Sequence, residues 1–253
     1  MDFFSLSMEI QIVLLILVGI IASIIGVLFG AAGFVLMPTM LLLGIPIHTT
    51  IAANKFATGT SSLSNVLWMI IKRKAPLKEL WLLTILASVG GVSGAILSTQ
   101  FNEETMNILA CIILIFMLIK VMKRNKNDTT SSEIENVPFS LTPFFIGMYD
   151  GGFGPGSGLM NINFFLKRNY HYIKAVAYTR FFMCASCLGA FMYYWFFGVV
   201  IWSIAIPVTI GSILGSVLAL KCARFIKQQW IAVILPCIVV LLILQVGLDL
   251  LNE

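Results

Sequence analysis

Charge is what this chain has least of, and the shortage decides its class. Charged residues make up 11% of the 253, against 59% hydrophobic, and mean hydropathy is +1.00. A soluble core of this length does not need that surplus, whereas a polytopic membrane protein does. The net charge of +5 comes from bases gathered in short loops between apolar runs, with no basic soluble face for nucleic acid. Histidine occurs only twice, at the loop edges His48 and His171. Five cysteines lie in or beside apolar runs, and Cys184 and Cys187 share a helix face without a further His or Cys near them in sequence. They read as small buried hydrophobes. With no metal-ligand spacing and no nucleophile–base pair, neither a metal, a cofactor nor an enzyme activity is expected. The first eleven residues hold Asp2 and Glu9 but no base. That is unlike a signal peptide, so the first apolar run is expected to be retained.

What is present is a series of apolar runs, at about 10–44, 49–71, 79–98, 105–122, 139–166, 175–197, 199–220 and 229–251. Six fit one membrane crossing each, which takes roughly 17–25 residues. The first and fifth are too long for one crossing and short for two. Both contain a glycine-rich interruption: Gly26 to Pro38, and Tyr149-Asp150-Gly151-Gly152-Phe153-Gly154-Pro155-Gly156-Ser157-Gly158. At membrane depth, irregular backbone survives only where protein buries it or where it lines a water-filled cavity.

Loop charge assigns the sides. Lys72, Arg73, Lys74 and Lys78, then Lys120, Lys123, Arg124 and Lys126, then Lys167, Arg168 and Lys174, then Lys221, Arg224 and Lys227, all mark cytoplasmic loops. The run 139–166 then begins and ends inside, while the first run begins and ends outside, so each must be a hairpin or a pair of half-helices. Tyr193, Tyr194, Trp195 and Trp202 fit an outer aromatic belt, and Trp81 and Trp230 an inner one.

Shifting the sequence by 125 residues aligns the halves without a gap from about 25 to 121. Gly26 meets Gly151, Gly33 meets Gly158, Lys55 meets Arg180, Phe56 meets Phe181 and Ser61 meets Ser186. Lys55 lies 22 residues after Gly33, and Arg180 lies 22 after Gly158. Each half holds one hairpin and three crossings, an odd number of passes, so the halves insert upside down relative to each other. The expected fold is an all-α polytopic membrane protein of two inverted-topology repeats, a pattern of secondary transporters whose sites lie near the midplane. It forms one domain over 1–253: repeat one at about 8–122, a cytoplasmic linker at about 123–138, and repeat two at about 139–251.

The chemistry concentrates at the two breaks. A cation at the bilayer centre costs roughly 2.5–3.5 kcal/mol on the insertion scale, so Lys55 and Arg180 need a purpose there. Half-helices opening near Gly33 and Gly158 would aim backbone N–H groups at the centre, where an anion fits. Asn54, Thr179, Ser157, Asn161 and Asn163 add neutral hydrogen bonds. Asp150 is the one carboxylate well within an apolar run. It can pair with Arg180 or Lys55, or carry a proton during a transport cycle.

Through Gly30-Ala31-Ala32-Gly33 with Pro38, Ala53-Asn54-Lys55, Tyr149-Asp150-Gly151, Gly154-Pro155-Gly156-Ser157-Gly158 and Thr179-Arg180, the sequence resembles the TauE/SafE (sulfite exporter, TSUP) family of membrane transporters. The resemblance implies a carrier of small sulfur-containing anions such as sulfite, sulfoacetate or other organosulfonates, with proton linkage, in the cell membrane. An anion channel using the same paired cations is the alternative. Residue patterns alone leave the direction of transport and the oligomeric state open, since no helix stripe stands out as a dimer face. The topology places both chain ends outside the cytoplasm. Impermeant-reagent labelling of cysteines introduced at each end should reach both from the outer side, and two cytoplasmic ends would overturn the arrangement.

Overall fold

The computed structural model describes residues 7–72, 77–102, a few positions between 104 and 112, and 140–222. The runs at 229–251 and most of 105–122, the linker 123–138, Cys111, Cys237, Trp230 and both chain ends lie outside the described residues. The described residues form eight helices: α1 (Met8–Phe29), α2 (Ala32–Leu42), α3 (Ile47–Ile71), α4 (Leu77–Ser98), α5 (Thr142–Gly152), α6 (Ser157–Leu166), α7 (Tyr172–Phe197) and α8 (Trp202–Cys222). Four of them, α1, α4, α7 and α8, are long and apolar enough to cross a membrane. The protein is thus an all-α, multi-pass membrane protein.

Both expected breaks are real. Gly30 takes a left-handed conformation (φ 72°) at the end of α1, and its N–H donates to Gly26 O at 2.9 Å. The second break runs through Gly154 (φ 106°) and Gly156 (φ 84°), conformations that a Cβ resists. The hairpin expected in the first run differs in one respect. Its leading helix α1 has 22 residues, enough for a whole crossing, and only α2, with 11, is a half-helix. The reason is the uninterrupted apolar stretch before Gly19, whose Ile10, Val13 and Leu17 remain exposed as lipid-facing side chains would.

Helix boundaries recur at the 125-residue offset. Shifted α2, α3 and α4 would run 157–167, 172–196 and 202–223, within one residue of α6, α7 and α8. Packing is reciprocal as well. The first helix of each half lies along the last fully described helix of the other, α1 on α8 and α5 on α4, while α3 and α7 pack together between them.

Glycine makes those long contacts possible, since lipid-embedded helices associate through small residues that let backbones approach. A methyl on Gly94 would strike Met148 O, and one on Gly151 would strike Gly91 O. On the other side, a methyl on Gly19 would meet Val208 O, and one on Gly215 would meet Ile20 O. The outward faces stay apolar: Ile85, Val89 and Ile96 on α4, and Ile206, Ile210 and Leu214 on α8, are exposed at helical spacing. Half-helix α2 is instead apolar all round and sunk inside, with Phe34, Leu36, Met37 and Met40 buried. Half-helix α6 is wedged by its aromatic side, Phe164 and Phe165 meeting Phe182 of α7 at centroid distances of 5.8 and 5.1 Å.

One belt residue is misplaced by the sequence reading. Trp195, Trp202 and Trp81 are exposed, but Tyr194 is fully buried. Its hydroxyl donates to Gly151 O at 2.9 Å and meets Ser98 Oγ at 2.6 Å, so it ties the second break to α4. Replacing Gly94 with Val should force α4 off α5 and lower stability by about 1–3 kcal/mol, the usual range for overpacking. Thermal unfolding of the detergent-solubilised protein reads this, and an unchanged midpoint would contradict the close approach.

Candidate functional site

The middle of the bundle is polar where its helices break. Lys55 of α3 and Asp150 of α5 are each 1% exposed, and Lys55 Nζ lies 3.1 Å from Asp150 Oδ1. The two come from different halves of the chain, 95 residues apart. Asp150 gathers three further donors. Ser157 Oγ donates to Oδ1 at 2.6 Å, Ser186 Oγ to Oδ2 at 2.5 Å, and the Cys187 thiol to Oδ2 at 3.2 Å. Four donors match the acceptor sites of one carboxylate and fix its orientation. Gly154 belongs to this arrangement too, because a methyl there would collide with Lys55 Nζ.

Arg180 of α7 is placed differently. It is 3% exposed, and its Nη2 donates to Gly26 O at 3.2 Å. Its Nε has no hydrogen-bond partner, and among the described residues no carboxylate pairs with it. Of the two alternatives open for Asp150, the structure thus selects Lys55. The outcome is one neutralised cation and one without a counter-anion, on either side of the same small space.

That space is a cavity of about 20 Å³, room for about one water and none for a sulfur oxyanion. Gly33, Asn54, Lys55, Asp150, Ser157, Gly158 and Arg180 all border it. Three other expected residues do not. Thr179 is buried with Oγ1 unpartnered. Asn161 is buried and donates to Met183 Sδ at 3.6 Å, with its Oδ1 unpartnered. Asn163 is only half-buried.

The half-helix starts converge here, as expected, but part of their hydrogen-bonding capacity is already used. Leu159 N–H donates to Gly30 O at 3.1 Å, stitching the two breaks together, and Ser157 N–H donates to Gly154 O at 3.0 Å. Close approach of Gly158 to Gly30 permits the stitch, since a methyl on Gly158 would lie 2.8 Å from Gly30 Cα. Tyr149 Oη reaches over the second break to Pro155 O at 2.5 Å, and Tyr172 Oη donates to Leu28 O beside the first.

Sequence reasoning missed Met183, Ser186 and Cys187. The signal was there in part. Arg180, Met183 and Cys187 recur at i, i+3 and i+7 on one face of α7, and Ser186 is the offset partner of Ser61. Among the described residues, no three of His, Cys, Asp and Glu come together as a metal site.

The family model for the sulfite exporter TauE/SafE matches residues 15–246, nearly the whole chain. The chain belongs to the TauE/SafE family. It is similar to the probable membrane transporter protein ORF9 of Sinorhizobium sp, 30% identical over 228 residues that cover 87% of this chain and 85% of that one. It is also similar to a probable membrane transporter protein of Haemophilus influenzae, at 27% identity covering 90% of each chain. The probable membrane transporter protein YfcA of Escherichia coli is 25% identical, over 89% of this chain and 84% of the relative. No solved structure matches. Membership places this TauE/SafE protein among membrane transporters rather than enzymes.

Removing one partner of a buried ion pair leaves the other charge uncompensated, at about 3–5 kcal/mol. Lys55→Met and Asp150→Asn should therefore each lower stability by about that range, and the double variant should lose less than the two losses added. Thermal unfolding of the four proteins in detergent checks this, and strict additivity would show that the pair is not coupled.

Proposed function

We propose that this TauE/SafE protein is a secondary transporter of small anions, with sulfur-containing oxyanions or organosulfonates such as sulfite or sulfoacetate as its substrates. The observation that carries the reading is Arg180, a buried guanidinium with an unpartnered Nε on the wall of a cavity where two half-helix N-termini meet. Desolvating a cation without a counter-charge is expensive, and a passing anion offsets that cost. Arg can grip a planar or pyramidal oxyanion through two donors, while Lys55 contributes a point charge. Asn54 and Ser157 supply neutral hydrogen bonds on the same wall, and Asn161 stands behind it through its bond to Met183.

The anion would compete with Asp150 for Lys55. Protonation of Asp150 releases Lys55 to the substrate, so a proton and an anion can cross together. Alternating access between two inverted repeats is supported by the recurring helices and their reciprocal packing, and loop charge is the argument for both chain ends lying on the outer side of the membrane. An anion channel would use the same cations but requires a continuous wide opening, and a cavity with room for only about one water supports the carrier.

The test is uptake into proteoliposomes of sulfite, thiosulfate, sulfoacetate, sulfate and chloride, with and without a pH gradient. Saturable uptake of a sulfur anion, stimulated by the gradient and reduced at least about thirtyfold in Arg180→Ala, is expected; truncating a buried charge contact typically costs about 2–5 kcal/mol. Large non-saturating chloride flux would move the assignment to a channel, and uptake of none of the sulfur anions would remove the substrate class.

A further inference from the structure

Arg180 borders two chambers. Beyond the central cavity a second one, of about 10 Å³, lies between α1, α2, α3 and α8. The two share Gly26, Ala32, Thr58 and Arg180 on their walls. The polar part of the second wall is hydroxyl: Ser23 of α1, Thr58 and Ser61 of α3, and Ser212 of α8. Ser23, Ser61 and Ser212 are all buried.

The bonds these hydroxyls make are local and exchangeable. Ser61 Oγ donates to Thr58 O at 3.1 Å within its own helix, Thr58 Oγ1 to Asn54 Oδ1 at 3.1 Å, and Ser212 Oγ to Gly19 O at a long 3.5 Å. A hydroxyl can rotate from such a contact to an anion that comes within reach.

The repeat gives an internal control. At the 125-residue offset Ser23 becomes Met148, Thr58 becomes Met183 and Ser212 becomes Ala87, while Ser61 becomes Ser186, which is committed to Asp150. The hydroxyls at 23, 58 and 212 are thus not repeated, while Ala32 and Leu36 of the same lining correspond to Ser157 and Asn161. Repetition of the helix packing does not by itself call for hydroxyls at 23, 58 and 212. Local bonds satisfy the Thr58, Ser61 and Ser212 hydroxyls, and the guanidinium at the junction, 3% exposed with Nε unpartnered, points to an anion as the ligand they would turn to.

We infer that the hydroxyl-lined chamber is a second anion subsite, in series with the central cavity, and that Arg180 passes the anion between the two. The identity of the anion rests on the transporter reading above; the preference of the chamber for negative charge does not.

The test uses cysteines introduced one at a time, Ser61→Cys and Ser212→Cys, with Met148→Cys and Ala87→Cys as mirror controls. The background is the full chain with its native cysteines replaced, Cys187 by Ser so as to keep a donor to Asp150. In proteoliposomes each is treated with a methanethiosulfonate reagent bearing a sulfonate or one bearing a trimethylammonium group, and each rate is divided by that reagent's rate with a small free thiol. The expected result is at least tenfold faster labelling at 61 and 212 than at 87 and 148, a sulfonate preference of at least tenfold at 61 and 212, and loss of that preference in Arg180→Gln. No labelling at 61 and 212, equal rates for the two reagents, or a preference that survives Arg180→Gln would each overturn the inference. A second readout leaves the native cysteines in place: Ser23→Met with Ser212→Ala copies the mirror lining. It should slow sulfite uptake at least tenfold while equilibrium affinity stays within twofold, and unchanged uptake would count against the chamber. If the unmodified protein takes up no sulfur anion, the substrate assignment fails while the labelling rates still decide the chamber.

Discussion

An ammonium and a carboxylate, both withdrawn from water, hold the two halves of this protein together at their centre. The Lys55–Asp150 pair joins α3 of the first half to α5 of the second. In a low-dielectric interior such a pair is not a source of large net stability, because desolvation opposes attraction. Its effect is on specificity. Any arrangement of the halves that separates the two strands a charge in an apolar medium, so the pair selects the observed register. Ser157, Ser186 and Cys187 complete the shell of Asp150, which extends the constraint to α6 and α7. Gly154 then has to be glycine, since nothing larger leaves room for the Lys55 ammonium.

The same constraint explains the shape of the surrounding bundle. Half-helices can end inside a membrane only if their freed backbone groups find partners. Gly30 O receives Leu159 N–H from the other half, and Gly26 O receives Arg180. Each break is thus completed by the opposite repeat. Neither hairpin would be satisfied alone, and this interdependence also brings both breaks to one cavity. The glycine contacts of α4 with α5 and of α1 with α8 act at a further remove, by letting the outer helices close tightly around the centre.

Function enters through an imbalance within near-symmetry. Equivalent positions hold Lys55 and Arg180, yet one is neutralised by Asp150 and the other has only a carbonyl and an unpartnered Nε. An internal carboxylate satisfies one cation, while the other keeps an unpartnered donor facing the central cavity and its neighbour. Ser23 and Thr58 of the first half stand where Met148 and Met183 stand in the second, so equivalent backbones carry different side chains around the centre.

The sequence by itself determined the membrane class, the two breaks, the 125-residue repeat and the paired deep cations. All of these are written in hydropathy, glycine and charge, which act through local chain physics and through spacing along the chain. Most of the cavity wall was legible for the same reason, since Asn54, Lys55, Asp150, Ser157 and Arg180 are polar residues inside apolar runs. Only the tertiary structure decided which cation Asp150 takes, because both lie far from it in sequence and the choice depends on how α3, α5 and α7 pack. It also decided that Cys187 is a hydrogen-bond donor to Asp150 and that Tyr194 is a buried tie across helices. A thiol and a phenol suit lipid, core or site equally well by composition. Their roles are set by the neighbours that folding brings to them.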